Sequence, residues 1–271
     1  MNTASLREWE AASASVLHQV DQLLLSLGAS AAIRSYLQQM KGYPRVLYMC
    51  AAWVPEPPLR FGLGTAFCQH SCGLKLIDDL IDGDQDLSPR DLVSGHVFCE
   101  DAGARYSALV PGRRISEDWD GTWMPIYGHV FHEPDQVITS YPVWLAGAVQ
   151  KSGKLMAAYC RAAMTAEADR SLVDLAADAM EAIGVLYMIS DDVRDHAQQG
   201  ERVSNLLELV HGGQVDAGEV LATLTDLRQR ISRACAAREP SFDFFPYIDL
   251  IFDKCFGLFG RLQHPAAEAA A

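Results

Sequence analysis

Apolar residues recur every three to four positions along most of this chain, the spacing of one helix face, and period-two alternation is almost absent. Ser5 to Leu27 carries Val16, Val20, Leu23, Leu24 and Leu27 on such a face and stops at Gly28. A second helix is predicted over Ala31 to Met40. The turn Lys41-Gly42-Tyr43-Pro44 separates it from an apolar, buried helix over Arg45 to Val54, closed by Pro55, Pro57 and Pro58. Leu59 to Ile81 is a long, mostly apolar segment with Gly83 as its stop. Ser88, Pro89 and Asp91 then read as the N-cap, N1 proline and acidic N3 of the next helix. Pro111 to Pro142 breaks the pattern: four prolines, several acids, Trp119 and Trp123 predict a long loop with short helical pieces, placed over a cavity mouth. Helix resumes over Val143 to Thr165, Ser171 to Asp195, Asn205 to Val210 and Gly218 to Ala237. An aromatic-rich helix over Phe242 to Leu262, beginning near Pro246, ends the pattern. The predicted class is all-α.

Length and composition narrow this picture. With 271 residues, 49% of them hydrophobic, the chain can bury a large core. Nothing resembles a linker or repeat, and only the tail after Pro265 is Ala-rich, so one helical domain over 1–271 is expected, its ordered core about 5–262. A net charge of −13 argues against nucleic acid as a partner. Seven cysteines without disulfide-like spacing suggest a reduced, cytoplasmic protein. The N-terminus has no basic flank and apolar core, and no run of ~20 apolar residues is available to span a membrane.

The chemistry concentrates in two stretches, Leu74-Lys75-Leu76-Ile77-Asp78-Asp79-Leu80-Ile81-Asp82 and Leu186-Tyr187-Met188-Ile189-Ser190-Asp191-Asp192-Val193-Arg194-Asp195. Each ends an apolar helical run with D-D-x-x-D. At about 100° per residue, Asp78 and Asp82 share a helix face with Asp79 beside them, and Asp191, Asp192 and Asp195 repeat the arrangement. Three carboxylates on one wall repel one another and cannot be buried without a counter-charge. Two such walls facing across a cavity would suit a hard divalent cation. Mg2+ is the natural candidate, since it keeps some waters and shares its other positions with phosphate oxygens. One such motif alone is often a solvated helix end; two after long apolar helices are harder to dismiss.

Other candidate chemistry is weaker. Asp82-Gly83-Asp84-Gln85-Asp86 fails as an EF-hand, because Leu87 stands where the loop needs glycine and Val93 where it needs glutamate. Cys68, His70 and Cys72 do not share one helix face and have no second Cys/His pair, so buried thiols explain them better than zinc. Lys151 and Lys154 lie at i, i+3 in a small-residue segment, where a lysine can reach phosphate oxygens as a point charge or simply meet solvent.

Together these residues resemble the trans-isoprenyl diphosphate synthase superfamily, the class I isoprenoid synthases, over roughly residues 30–260. Lys151-Ser152-Gly153-Lys154-Leu155 is similar to the family's K-T-x-x-L motif ahead of the second aspartate motif. The second half is similar to a prenyltransferase of the moenomycin type over Ser190-Asp191-Asp192, Asp195, Gly200-Glu201-Arg202, Asn205-Leu206 and the helix after Gly218. Lys75 to Leu80 adds to that likeness. The resemblance implies a helical bundle around a deep apolar pocket and ionisation of an allylic diphosphate such as geranyl, farnesyl or geranylgeranyl diphosphate. It implies Mg2+, three ions with the diphosphate, held by Asp78, Asp79, Asp82, Asp191, Asp192 and Asp195. Asp78, Asp79, Asp192 and Lys151 would be catalytic. Lys151, Arg194, Arg202, Tyr187, Met188 and Gly73 would bind substrate, Gly73 by leaving room for a long prenyl chain. A homodimer is also implied.

The departures from the family are informative. Where chain-elongating members carry a basic G-G-K-R-x-R, this chain has Met40-Lys41-Gly42-Tyr43-Pro44-Arg45. Where they carry R-R-G, it has Asp86-Leu87-Ser88-Pro89-Arg90-Asp91, and after the second motif only Arg194 and Arg202 remain basic. One diphosphate site is kept and the isopentenyl site is reduced. Leaving-group departure still needs cations, and the allylic cation needs a dry lining, for which Tyr187, Met188, Phe67, Phe242, Phe244 and Phe245 are candidates. Three roles are compatible with this: transfer to a lipidic or natural-product acceptor at a membrane periphery, cyclisation by a terpene synthase, or a non-catalytic synthase subunit. Intact aspartate motifs weigh against the last, and the absent N-D-x-x-S-x-x-x-E weighs against the usual cyclase.

Overall fold

The computed structural model describes residues 3–26, 31, 33–35, 43–82, 89–132, 138–199 and 205–263. Among them every regular element is helical, and none of these helices is long and apolar enough to cross a membrane. The chain forms two compact units, Met1–Met124 with Tyr159–Ala168 and Glu239–Asp243, and Pro125–Ala158 with Asp169–Arg238 and Phe244–Ala271.

In the first unit, α1 (Thr3–Ser26) buries Val16, Val20 and Leu24, spaced by four residues on one face. Helix α2 (Tyr43–Met49) begins two residues earlier than expected, taking in Tyr43 and Pro44 of the expected turn, and stops short of Val54. Cys50, Ala51, Ala52 and Val54 donate their backbone N–H groups to carbonyls three residues back, so the chain tightens ahead of the prolines instead of continuing as helix to Val54. Arg60 is buried and secures this corner, its Nη1 donating to Val54 O at 2.7 Å and Pro55 O at 3.1 Å.

Helix α3 (Pro57–Asp82) starts on two prolines, which need no N–H acceptor there, and is buried all round from Leu63 to Gly73. It packs against α4 (Pro89–Leu109) where Gly73 and Gly95 meet: a Cβ on Gly73 would come within 2.6 Å of Gly95 O and 2.7 Å of Cys99 Sγ. Phe67 stacks on Tyr159 at 4.9 Å between ring centroids, and Trp123 and His70 meet Tyr159 edge-on. Trp123 closes a five-residue π-turn, π1 (Trp119–Trp123), ahead of α5 (Met124–His132), two short helical pieces in the stretch expected to hold such pieces within a long loop.

The second unit is arranged along α8 (Arg170–Gln199). Asp169 caps it, accepting from Ser171 and Leu172 N–H groups at 3.0 and 3.3 Å. Against α8 lie α6 (Tyr141–Ala148), π2 (Val149–Gly153), α9 (Leu206–His211), α10 (Ala217–Ala237) and α11 (Phe245–Gln263). Helix α7 (Lys154–Ala163) follows π2 directly. The continuous helix expected over Val143 to Thr165 is therefore two helices joined by a wider turn. Arg230 of α10 clamps Asp178 at 2.6 Å and Glu181 at 3.0 Å on α8, and Asp216 and Glu219 close a capping box at the start of α10. Gly184 of α8 sits against π2, where a Cβ would lie 2.6 Å from Ser152 O and 2.8 Å from Gly153 Cα.

Candidate functional site

The first aspartate cluster occupies the C-terminal end of α3. A helix C-terminus carries partial negative charge, so carboxylates there are doubly unfavourable without a cation. Asp78 and Asp79 are nonetheless 3% and 2% exposed. Lys75, one turn back, resolves the conflict: its Nζ lies 3.0 Å from Asp78 Oδ2 and 2.5 Å from Asp79 Oδ1. One oxygen from each carboxylate thus converges on one cationic centre. Asp82 is the last residue of α3, and its side chain lies outside the described residues.

The second cluster sits inside α8, two turns before its end. Asp191 Oδ1 pairs with Arg194 Nη1 at 3.0 Å. Asp192 Oδ2 accepts from Trp144 Nε1 at 2.9 Å and from the N–H of Leu206 at 2.6 Å. The side chain of Asp195 and the whole of Arg202 lie outside the described residues. Tyr187 and Met188 are half-buried on the preceding turns. The Tyr187 and Tyr247 hydroxyls are 3.4 Å apart, and burial, with Tyr247 beside it, pushes the Tyr187 phenol upward.

Whether these residues suit Mg2+ turns on their donors. Both clusters offer hard carboxylate oxygens, and each already draws a cationic side chain, Lys75 in one and Arg194 in the other. The donor chemistry fits. Among the described residues no group of three or more His, Cys, Asp or Glu is gathered for a metal, and the third carboxylate of each cluster is one whose side chain is not described.

The remaining candidates divide. Lys151 is half-buried on π2, whereas Lys154 is exposed and bound to Glu181 at 2.7 Å. Gly73 does not leave room for a prenyl chain. The space a side chain would take is filled by the backbone of α4 at Gly95, so its smallness serves helix packing. Phe67, Phe242 and Phe244 are buried.

His70 is buried, with Nδ1 2.8 Å from Tyr159 Oη, and burial lowers its pKa to about 4. The hydrogen bond that the Cys68 thiol donates to Cys72, together with burial, holds that thiol well above its usual range. This is core chemistry rather than zinc chemistry.

Two residues escaped the sequence reading as parts of the site, Trp144 and Asn205. Both had signals. An indole N–H in an apolar helix requires an acceptor, and Asn before Leu-Leu is an N-cap pattern.

No protein-family model and no curated protein matches this chain. Solved structures do. A geranylgeranyl pyrophosphate synthetase from the archaeon Geoglobus acetivorans superposes with a TM-score of 0.64 at 16% identity, covering 97% of this chain and 100% of its own. A geranyltransferase from Helicobacter pylori gives 0.59 at 11% identity, covering 96% and 98%. A farnesyl/geranylfarnesyl (FPP/GFPP) synthase from Zymomonas mobilis gives 0.57 at 15% identity, covering 91% and 98%. At such identities the likeness is one of architecture, and it extends over nearly the whole of each chain. This chain has the all-helical fold of the trans-isoprenyl diphosphate synthases.

Proposed function

We propose that this chain is a Mg2+-dependent prenyltransferase. It ionises an allylic isoprenyl diphosphate and transfers the prenyl group to an acceptor other than isopentenyl diphosphate, in specialised metabolism. The observation that carries the reading is the pair of buried carboxylates, Asp78 and Asp79, gathered on a single cation in a fold shared with enzymes named for prenyl transfer.

In this mechanism Asp78, Asp79 and Asp82 of one unit would hold Mg2+, and so would Asp191, Asp192 and Asp195 of the other. Bound Mg2+ supplies Lewis-acid stabilisation of the departing diphosphate. Lys151 adds a fixed positive charge to the same oxygens, and Arg194 and Arg202 help to bind them. The allylic C–O bond breaks with its electron pair leaving on the diphosphate. Tyr187 and Met188 shield the resulting cation from water until the acceptor attacks.

The choice of acceptor rests on the sparse basic residues at Met40–Arg45 and Asp86–Asp91, which weaken the case for a second diphosphate, and on the moenomycin-type pattern of the second half. A lipidic acceptor at a membrane periphery and a homodimeric enzyme complete the proposal. Cyclisation of a single diphosphate needs the same residues and is the second reading.

The deciding experiment is diphosphate release from geranyl, farnesyl and geranylgeranyl diphosphates with Mg2+ and no acceptor, with organic extracts examined by mass spectrometry. The transferase reading expects slow hydrolysis or none, with turnover restored by a cell extract but not by isopentenyl diphosphate. A cyclic or linear hydrocarbon product would make the chain a terpene synthase instead.

A further inference from the structure

A single oxygen, Asp192 Oδ2, joins three elements of the second unit. From α6, 48 residues earlier, Trp144 Nε1 donates to it at 2.9 Å. From α9, the N–H of Leu206 donates to it at 2.6 Å. Asn205 completes the joint from both ends. Its Oδ1 accepts from Leu207 N–H at 2.8 Å, capping α9, while its Nδ2 donates to the backbone carbonyl of Asp192 at 2.8 Å. Trp144 is itself fixed, buried and stacked on Tyr141 with the rings 9° from parallel.

An aspartate's terminal torsion is broad, so an unheld carboxylate samples many orientations and loses that freedom when it binds a cation. Two N–H donors on one oxygen, delivered from different elements, remove the freedom beforehand. We infer that Trp144 is a positioning residue for Asp192, holding its carboxylate, together with the N-terminus of α9, in the orientation that receives the metal. The inference rests on the prenyltransferase reading in one respect only: Asp192 must be a metal ligand.

A tryptophan that merely packed α6 on α8 would be indifferent to loss of its N–H if its shape were kept. The test therefore replaces Trp144 with β-(3-benzothienyl)alanine, which exchanges the indole N–H for sulfur, alongside Trp144→Phe. Mg2+ uptake by the full chain is measured by titration calorimetry in the presence of inorganic diphosphate. Both variants are expected to bind Mg2+ roughly ten- to a hundredfold more weakly, the usual effect of removing a partner that orients a ligand. In an Asp192→Asn background, Trp144→Phe should change the affinity less than about twofold, because the residue through which it acts is already altered.

Wild-type affinity in the benzothienyl variant would overturn the inference. So would an equal loss from Trp144→Phe with and without Asp192. Absence of any Mg2+ uptake by the wild type would overturn the prenyltransferase reading itself and the inference with it.

Discussion

The two aspartate clusters are spelled alike and held differently. Asp78 and Asp79 are neutralised from within their own helix, by a lysine one turn away. Asp192 is tied to distant parts of the chain through an indole N–H and a helix N-terminus. The first pairing is electrostatic and local: its ammonium is one that another cation can replace. The second is built of directed hydrogen bonds, and removing it also releases structure. Equal motifs in sequence can therefore fail in unequal ways.

The largest expected effect is the one the clusters share. Asp79→Ala or Asp192→Ala should each lower the diphosphate release restored by a cell extract by roughly a thousandfold, the scale of losing a positioned electrostatic stabiliser. Unchanged release in either variant would sink the metal assignment for that cluster.

The next effect separates them by pH. His70 lies two turns before Asp78 on α3, and burial lowers its folded pKa to about 4 from an ordinary 6.5. The fold holds it neutral, so its contribution is fully present above pH 6.5 and drains away as the pH falls toward 4. The limiting slope is about 1.4 kcal/mol per pH unit, or about 3 kcal/mol in all. Denaturant melts of wild type and His70→Phe should diverge least at pH 4 and show the shallower pH slope in the variant. Parallel curves would contradict this account of α3.

Stability without metal should then split the two sites. Asp192→Ala leaves the Trp144 and Leu206 donors without their acceptor and should cost about 2 kcal/mol in EDTA. Asp79→Ala relieves Asp78 of a like-charged neighbour and should cost much less. The smallest effect concerns the counter-charge. Lys75→Met should cost about 1 to 2 kcal/mol in EDTA, moderated by the lysine's 32% exposure, and Mg2+ should restore most of it. A loss that Mg2+ does not repair would mean that the cation does not take the lysine's place.

Much of the architecture was legible because it is written locally. Apolar spacing located α1, α3, α8, α10 and α11 to within a few residues, Pro89 opened α4, and Asn205 marked the start of α9. What escaped depends on partners far away in sequence. Gly73 announces a close approach but cannot say to what, and Gly95 on another helix is the answer. Helix α2 stops early because the chain must turn within a buried run that hydrophobicity alone reads as continuous. The bond from Trp144 to Asp192 spans 48 residues and leaves no periodic trace. The π-turns, too, are invisible to a count tuned to 3.6 residues per turn.

One of those turns has a consequence for chain length. Because π2 closes on bonds one residue longer than the α-helical kind, it takes up one extra residue between α6 and α7. Deleting a single residue within Val149–Gly153 would let an ordinary helix form across the junction, a change that looks harmless by propensity. Because a π-turn fits one extra residue into about one full rotation, the deletion would leave α7 at nearly the same angle to Trp144. A one-residue gap here is thus absorbed locally, and its cost falls on the turn itself, where Ser152 and Gly153 lie against Gly184.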